Sequence, residues 1–265
     1  MRTRHSQSER RRTRTLDRRG GALLAAVFLL MALPAQAQPA TDAGKPFDAY
    51  RVACAPQAVR LAPSGTARLQ ASLMPGRRQF GPGDTLVVDA GANQDVAVDQ
   101  QYYVRRVLPG MDRKSGQKEL WIHVHTAGWV RITEVYPTSA LATVVHACDA
   151  FESGDLLEPF VLPTVPAPMD PPGRPDYSAP GQVLFGGDRR TVSGASNFMV
   201  IDRGSDHGVK PGQRLTIFRR LAGVDGPVNP IAEATVMLVL SESATILIDR
   251  SLQGIFVGDH VALHR

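Results

Sequence analysis

Short apolar runs separated by clusters of turn residues dominate the chain from residue 80 onward. The clearest case is residues 198–220, FMVIDRGSDHGVKPGQRLTIFRR, where an apolar run and an alternating segment flank a glycine-rich stretch. Glycine adopts positive φ without steric cost. Gly204, Gly208 and Gly212 therefore predict sharp turns, and the stretch predicts a strand, a turn and a strand in a hairpin-like arrangement.

The same pattern predicts strands along the rest of the chain, and no long amphipathic helix periodicity occurs. Residues 67–73 fit either a strand or one helical turn. Many short strands with regular turn signals are typical of a small barrel or sandwich, so an all-β fold is predicted. The predicted strands are 85–89, 101–107, 120–125, 129–136, 140–145, 156–160, 182–185, 232–240, 244–248 and 260–263.

An internal repeat divides this β region into two halves. Asp89-Ala90-Gly91 matches Asp202-Arg203-Gly204 at a shift of 113 residues, which also aligns Arg106 with Arg219. Ser139-Ala140 matches Ser243-Ala244, and Gly154-Asp155 matches Gly258-Asp259, at a shift of 104 residues. A solenoid repeats every ~20–50 residues, so this longer period predicts two similar small domains.

The two domains are predicted at residues 80–160 and 182–265, and seven prolines between them predict an extended linker at 161–181.

The N-terminus is predicted to be an export signal. Residues 1–37 hold eight arginines, an apolar run and a small-residue site at Ala35-Gln36-Ala37, which is typical of a cleaved export signal. The run is too short to span a membrane, and an uncleaved anchor remains an alternative. Residues 38–79 are predicted to be a leader with short strands.

Removal of the signal changes the charge of the chain. Residues 1–37 hold eight of the 30 basic and two of the 25 acidic residues, so the net charge falls from +5 to −1. No run of Lys and Arg remains, which excludes the usual electrostatic surface of a nucleic-acid-binding protein.

Cys54 and Cys148 are predicted to form a disulfide in an oxidising compartment, with two free thiols as the alternative.

Candidate chemistry is sparse, and no GxSxG, HExxH, P-loop or Rossmann motif occurs. His123 and His125 share one face of a predicted strand, and with His146 and Cys148 they suggest a metal site of nitrogen and sulfur ligands. That site needs a free Cys148, and an exposed polar strand face explains the same spacing. Four aromatic residues suggest a contact surface for a glycan or a protein, although one of them, Trp129, also fits a core position: Tyr102, Tyr103, Trp129 and Phe151.

The glycine-rich stretch and the closing VGDHV segment carry a family resemblance. Residues 198–265 resemble the C-terminal domain of flagellar assembly protein T and similar small β-barrel units of exported proteins that carry LysM modules. His207 and Gln213 stand where the family pattern has Asp, whereas six residues match it: Gly204, Ser205, Gly208, Val209, Lys210 and Gly212. The resemblance implies a small SH3-like barrel used for assembly or binding in the cell envelope, with no catalytic residues.

These observations predict two related SH3-like barrels joined by a proline-rich linker, in a periplasmic or otherwise exported protein; association with the outer membrane is an open alternative. The predicted function is non-catalytic assembly, scaffolding or binding, with an envelope protein or peptidoglycan as partner. No cofactor, no nucleic acid and no transmembrane span after signal cleavage are expected. The structural turn motif is assigned to Gly204, Gly208, Gly212, Gly258 and Asp259, and the Asp259 side chain is expected to accept backbone N–H hydrogen bonds in its turn. The alternative is a metal-dependent hydrolase using His123, His125 and His146.

Overall fold

A computed structural model describes residues 49–63, 67–72, 80–108, 121–187, 190–221 and 226–265. The predicted signal at 1–37 and much of the predicted leader at 38–79 lie outside these residues. The described residues belong to one compact unit. They form antiparallel β-structure with one five-residue α-helix, so the all-β prediction is confirmed.

The first half begins with the helix and builds a seven-stranded antiparallel sheet. The strands follow the order β2-β3-β6-β5-β4-β7, and β1 pairs separately with β5. A bridge between Arg68 and Leu156 connects the first and last strands of that order. The elements are α1 (Ala49–Ala53), β1 (Gln57–Val59), β2 (Leu69–Ser72), β3 (Thr85–Val88), β4 (Gln101–Leu108), β5 (Ile122–Val135), β6 (Ala140–Ala147) and β7 (Leu156–Pro159).

The second half forms a closed six-stranded barrel in the order β10-β13-β12-β11-β15-β8. Its connectivity repeats that of the first sheet, because β8, β10, β11, β12, β13 and β15 stand where β2 to β7 stand there. Two short strands, β9 and β14, pair with each other beside the barrel. The elements are β8 (Gly181–Gly186), β9 (Val192–Ser193), β10 (Phe198–Ile201), β11 (Arg214–Arg220), β12 (Val228–Val239), β13 (Ala244–Ser251), β14 (Ile255–Phe256) and β15 (His260–Leu263).

Two predicted connections differ from the structure. The expected separate strands 120–125 and 129–136 form the single strand β5, because Gly128 continues the strand through a bulge instead of turning it. A side chain at Gly128 would collide with the backbone oxygen of His146. The hairpin-like arrangement of 198–220 is also wrong: β10 pairs with β8 and β13, whereas β11 pairs with β12 and β15.

Each half has its own apolar core, built from the alternating faces of its strands. Val130 and Ile132 of β5 are buried in the first core, as the alternation predicts. Ala234 and Val236 of β12 are buried in the second, but a bulge after Val236 turns Leu238 out of that core. The predicted aromatic surface is wrong for Tyr103 and Phe151, because both side chains are buried, whereas the buried Trp129 confirms the core position that the sequence favoured for it.

The proline-rich segment contains neither helix nor strand between residues 161 and 180, all of which the structure describes. It lies along the second barrel. The backbone N–H of Met169 donates to the oxygen of Gly212 at 2.8 Å, and that of Asp176 donates to Leu263 at 2.9 Å. Pro175 also forms an isolated bridge with His264. The segment is therefore attached to the barrel by backbone hydrogen bonds at several points.

Candidate functional site

Residues 49–60, the N-terminal segment, are attached to the first sheet by a covalent bond and by strand pairing. Cys54 and Cys148 lie at disulfide distance, with 5.7 Å between their Cα atoms, as the sequence predicts. Three residues later, β1 pairs with the start of β5, where Ala58 lies opposite His123. Together these two attachments fix the segment on the outside of the sheet.

The same segment is also held by the second barrel. Two hydroxyls at the start of β13 reach its backbone: Oγ of Ser243, the residue before the strand, donates to the oxygen of Ala58 at 2.7 Å, and Thr245 Oγ1 donates to that of Pro56 at 2.6 Å. Both side chains are almost fully buried. On the helical part of the segment, Val52 packs in an apolar cluster with Met237 and Leu247. The N-terminal segment therefore lies between the two halves and contacts both.

The first sheet and the barrel also meet directly beside the N-terminal segment. The ring of His123 stacks on Phe185 of β8 with 4.4 Å between the ring centroids. Ala58, Phe185 and Val200 belong to one buried apolar cluster, against which Trp121 packs. Residues of all three parts are thus buried together at this interface.

An open cleft of about 430 Å³, the inter-barrel cleft, lies next to the disulfide. All three parts of the structure contribute to its walls. Two residues from each illustrate the composition: Arg51 and Cys54 from the N-terminal segment, His125 and Thr126 from β5, and Arg190 and Ser193 from the second half. The size lies within the ~300–1,000 Å³ range of small-ligand sites.

Aromatic side chains pack against the disulfide. Trp129 stacks on His146 and on Phe160 at centroid distances of 4.4 and 4.8 Å, and Tyr50 meets the edge of Trp129 at 5.0 Å. Burial raises the pKa of the neighbouring Tyr103 phenol. Tyr103 therefore stays protonated at neutral pH and donates its hydroxyl to the oxygen of Val161 at 3.0 Å.

Two of the three histidines of the proposed metal site, His123 and His125, lie edge to face with 6.2 Å between their ring centroids, and each histidine has a further partner of its own. His123 stacks on Phe185, His146 stacks on Trp129, and His125 Nε2 lies 3.0 Å from a carboxylate oxygen of Asp149. Among the residues that the structure describes, the group whose ligand atoms lie within 4.8 Å of one another is a different one: Cys54, His146 and Cys148. Its two sulfur atoms are bonded to each other, and metals bind cysteine as the thiolate.

Glycine occupies the turn-motif positions for two different structural reasons. Gly208, Gly212 and Gly258 have φ of 78°, 79° and 94°, so they are left-handed as predicted. Gly204 is extended, with φ of −133°, and begins the 3₁₀ turn Ser205–His207, so its place in the turn does not depend on positive φ. A side chain at Gly204 would collide with the backbone of Leu240, and close backbone approach is the reason for glycine at this position.

The carboxylate of Asp259 accepts hydrogen bonds from a backbone N–H and from an arginine side chain, an arrangement that we call the Arg–Asp clamp. The sequence predicted only the backbone part of it. The predicted backbone contact is present, since Phe256 N–H donates to its carboxylate at 2.8 Å. Arg219 adds two hydrogen bonds to the same carboxylate, at 2.8 and 2.7 Å, and this bidentate pair was missed. The pairing raises the pKa of Arg219.

The first half contains the same clamp at the aligned positions. Arg106 donates to both carboxylate oxygens of Asp155 at 2.8 and 2.9 Å, and Glu152 N–H donates to that carboxylate at 2.9 Å. The signal that would have revealed the pair was present: the repeat aligns Arg106 with Arg219 and Asp155 with Asp259. A basic and an acidic residue that recur together suggest that they interact.

Comparisons with known proteins leave the chain without an assigned family. No protein-family model matches it, and no curated protein matches it significantly. The resemblance to flagellar assembly protein T therefore stays a prediction. Within the described ranges, no helix has the length and apolar character needed to cross a membrane. The disulfide favours an extracellular or periplasmic setting.

Proposed function

We propose that this chain is a non-catalytic binding or assembly protein of the cell envelope, and that its ligand site is the inter-barrel cleft. One observation carries the proposal. The N-terminal segment is bonded to the first sheet through Cys54–Cys148 and hydrogen-bonded to the barrel through Ser243 and Thr245. Preorganised sites bind more tightly because less conformational entropy is lost on binding. An attachment of this kind on both sides keeps the cleft open in a defined geometry.

Two related SH3-like barrels joined by the proline-rich segment form part of the same proposal. The matching strand order and the recurring Arg–Asp clamp support it. The capping of the glycine turns supports it further. Gly91 N–H donates to Gln94 Oε1 at 2.9 Å, and at the aligned position Gly204 N–H donates to His207 Nδ1 at 3.2 Å. A duplicated small barrel is suited to presenting a binding surface at the junction of its copies.

A binding role agrees with the chemistry at the cleft. The two cysteines beside it are bonded, so neither provides a thiolate nucleophile. An exported location follows from the same bond together with the predicted signal, and the predicted partner remains an envelope protein or peptidoglycan. A role in flagellar assembly rests on the resemblance alone.

Site-specific crosslinking tests the proposal. A photo-crosslinking residue at Ser196, which lines the cleft, is compared with one at Arg131, which is exposed on the first sheet. We expect crosslinks to one envelope protein or to peptidoglycan fragments from position 196 alone, together with saturable co-sedimentation of the purified protein with that partner. Equal labelling from both positions, or no co-sedimentation with either material, would refute the proposal.

A metal-dependent hydrolase is the second candidate, and the cluster of Cys54, His146 and Cys148 is the observation that favours it. Three protein ligands with an open fourth position are typical of catalytic zinc sites. Metal content and hydrolytic activity measured with the disulfide oxidised and then reduced decide between the candidates. The hydrolase requires stoichiometric metal and activity in the reduced protein; the binding protein requires neither.

A further inference from the structure

We propose that reduction of the Cys54–Cys148 bond turns this wall of the inter-barrel cleft into a binding site for a thiophilic divalent cation such as Zn²⁺. The ligands are the two cysteine sulfurs and one ring nitrogen of His146. The inference goes beyond the proposed binding function and does not depend on it, and it does not require the site to hydrolyse a substrate. The placement of the three side chains carries the argument.

The three ligand atoms converge on one point of the cleft wall. The sulfur atoms of both cysteines and a ring nitrogen of His146 lie within 4.8 Å of one another. His146 belongs to β6 and Cys148 follows the end of that strand, whereas Cys54 is brought to the same place by the N-terminal segment. In a tetrahedral zinc site, neighbouring ligand atoms lie roughly 3.5–3.8 Å apart, so separation of the two sulfurs after reduction completes the set.

The ring of His146 is held in place but its nitrogens are not otherwise engaged. It stacks on Trp129 at 4.4 Å and meets the ring of Tyr50 at 5.2 Å. Within the part of the chain that the structure describes, neither ring nitrogen of His146 has a hydrogen-bond or ion-pair partner. His125 differs, because its Nε2 lies 3.0 Å from Asp149. Imidazole nitrogen and cysteine thiolate are the ligands that zinc prefers in proteins.

The two cysteines stay close together when the bond between them is broken. On one side of Cys54, Val52 is buried in the apolar cluster that it shares with the barrel. On the other side, β1 pairs with β5, and the backbone oxygen of Ala58 accepts the hydroxyl of Ser243. None of these contacts involves a sulfur atom, so reduction leaves them intact. Less conformational entropy is then lost when a cation draws the three ligands together.

The cleft gives a reductant access to the bond, because both cysteines are half-buried and line its open wall. A thiolate of a dithiol attacks one sulfur, the Cys54–Cys148 bond breaks, and a mixed disulfide forms. The second thiol of the reagent attacks that mixed disulfide, which oxidises the reagent to its own disulfide and transfers two electrons to the protein. Binding of the cation then releases the thiol protons to solvent, and the open cleft leaves a coordination position for water.

Zinc titration of the full, untagged protein in both redox states tests the inference. The chain is reduced with dithiothreitol, which is removed under argon before calorimetry. We expect one Zn²⁺ per reduced chain and no stoichiometric binding to the oxidised chain. Zinc should also protect Cys54 and Cys148 together from alkylation by iodoacetamide. If reduction unfolds the chain, Zn²⁺ should restore the circular dichroism of the oxidised protein, because a cation that binds only the folded site favours folding.

Variants identify the ligands. His146→Phe keeps an aromatic ring on Trp129 but removes the nitrogen, and it should weaken Zn²⁺ binding at least about tenfold, since loss of even an outer partner of a metal ligand costs that much. Cys148→Ser should abolish stoichiometric binding. His207→Gln is the matched control, because Gln94 at the aligned position forms the same cap on a glycine N–H. It removes an imidazole outside the site and should leave the affinity unchanged.

The outcomes separate this inference from the proposed function. Equal Zn²⁺ affinity of the oxidised and reduced chains, equal weakening by His146→Phe and His207→Gln, or alkylation that Zn²⁺ does not slow would overturn the site. If the reduced chain binds no Zn²⁺ while the oxidised chain co-sediments with envelope material, the inference fails and the binding function stands. If neither occurs, both fail. Zinc uptake without hydrolytic activity supports the inference and counts against the hydrolase.

Discussion

Removal of the two hydroxyls, at Ser243 and Thr245, that join the start of β13 to the N-terminal segment should weaken the attachment of the barrel to that segment. In the double variant Ser243→Ala/Thr245→Val, the backbone oxygens of Ala58 and Pro56 lose donors that lie 2.7 and 2.6 Å away. Both hydroxyls are at least 98% buried, so water has little access to replace them. A buried acceptor left unpaired costs about 1–3 kcal/mol, which gives about 2–6 kcal/mol for the pair.

Urea unfolding followed by circular dichroism measures that loss, and hydrogen exchange reports where it occurs. We expect the amides of β1 to exchange faster in the double variant than in the unmodified protein. Ser139→Ala is the matched control, because the repeat aligns Ser139 with Ser243 and this residue is only half-buried in the first sheet. A loss below ~0.5 kcal/mol, or one no larger than that of Ser139→Ala, would refute the attachment that we describe.

Three further changes test separate features. Replacing both Cys54 and Cys148 with Ala should lower the free energy of unfolding by up to about 4.7 kcal/mol, which is the chain-entropy value for a separation of 94 residues. Urea titration measures this loss, and a value under ~1 kcal/mol would contradict the expected stabilisation by the disulfide. Gly208→Ala should lower the free energy of unfolding by about 1–2 kcal/mol. Its φ of 78° is the sole cause, since no other atom lies within 4 Å of the added carbon, and an unchanged melting temperature would count against this. Desolvation by its neighbours raises the pKa of Asp249 although the residue is exposed, so its contribution to stability is small, is present at acid pH and is lost as the pH rises through that pKa. Asp249→Asn, which keeps an acceptor for Thr235, should therefore gain stability relative to the unmodified protein between about pH 3 and pH 7, and the opposite trend would disprove the sign.

Local features of this fold were readable from the sequence. Runs of β-forming residues bounded by turn signals predicted β4 at 101–107 and β6 at 140–145, because strand propensity and turn chemistry are properties of each segment by itself. The turn before β15 was predicted from Gly258-Asp259, since left-handed glycine and an Asp that accepts backbone N–H bonds are local chemistry. The disulfide followed from the presence of two cysteines in a chain predicted to be exported.

Long-range features were not readable. β1 is three residues long, and nothing in Gln57–Val59 identifies β5 as its partner or Ser243 as a donor to its edge. The inter-barrel cleft combines residues that are far apart in sequence, such as Arg51 and Arg190, so no local sequence motif predicts it. The spacing of His123 and His125 placed both rings on one strand face, where they lie 6.2 Å apart, but nothing in that spacing identified Phe185 and Asp149 as their further partners.

The attachment of the N-terminal segment also governs when the cleft can exist during biogenesis. Pro56 and Ala58 are synthesised early, but their hydrogen-bond donors, Thr245 of β13 and the preceding Ser243, follow 189 and 185 residues later. With the proposed export, Cys148 reaches the oxidising compartment before those donors, so the disulfide is able to hold the segment on the first sheet while the second half is still being translocated. On the proposed function, a chain whose second half has not yet been delivered lacks a complete cleft. Such a chain would become competent to bind only after Ser243 and Thr245 have joined the fold.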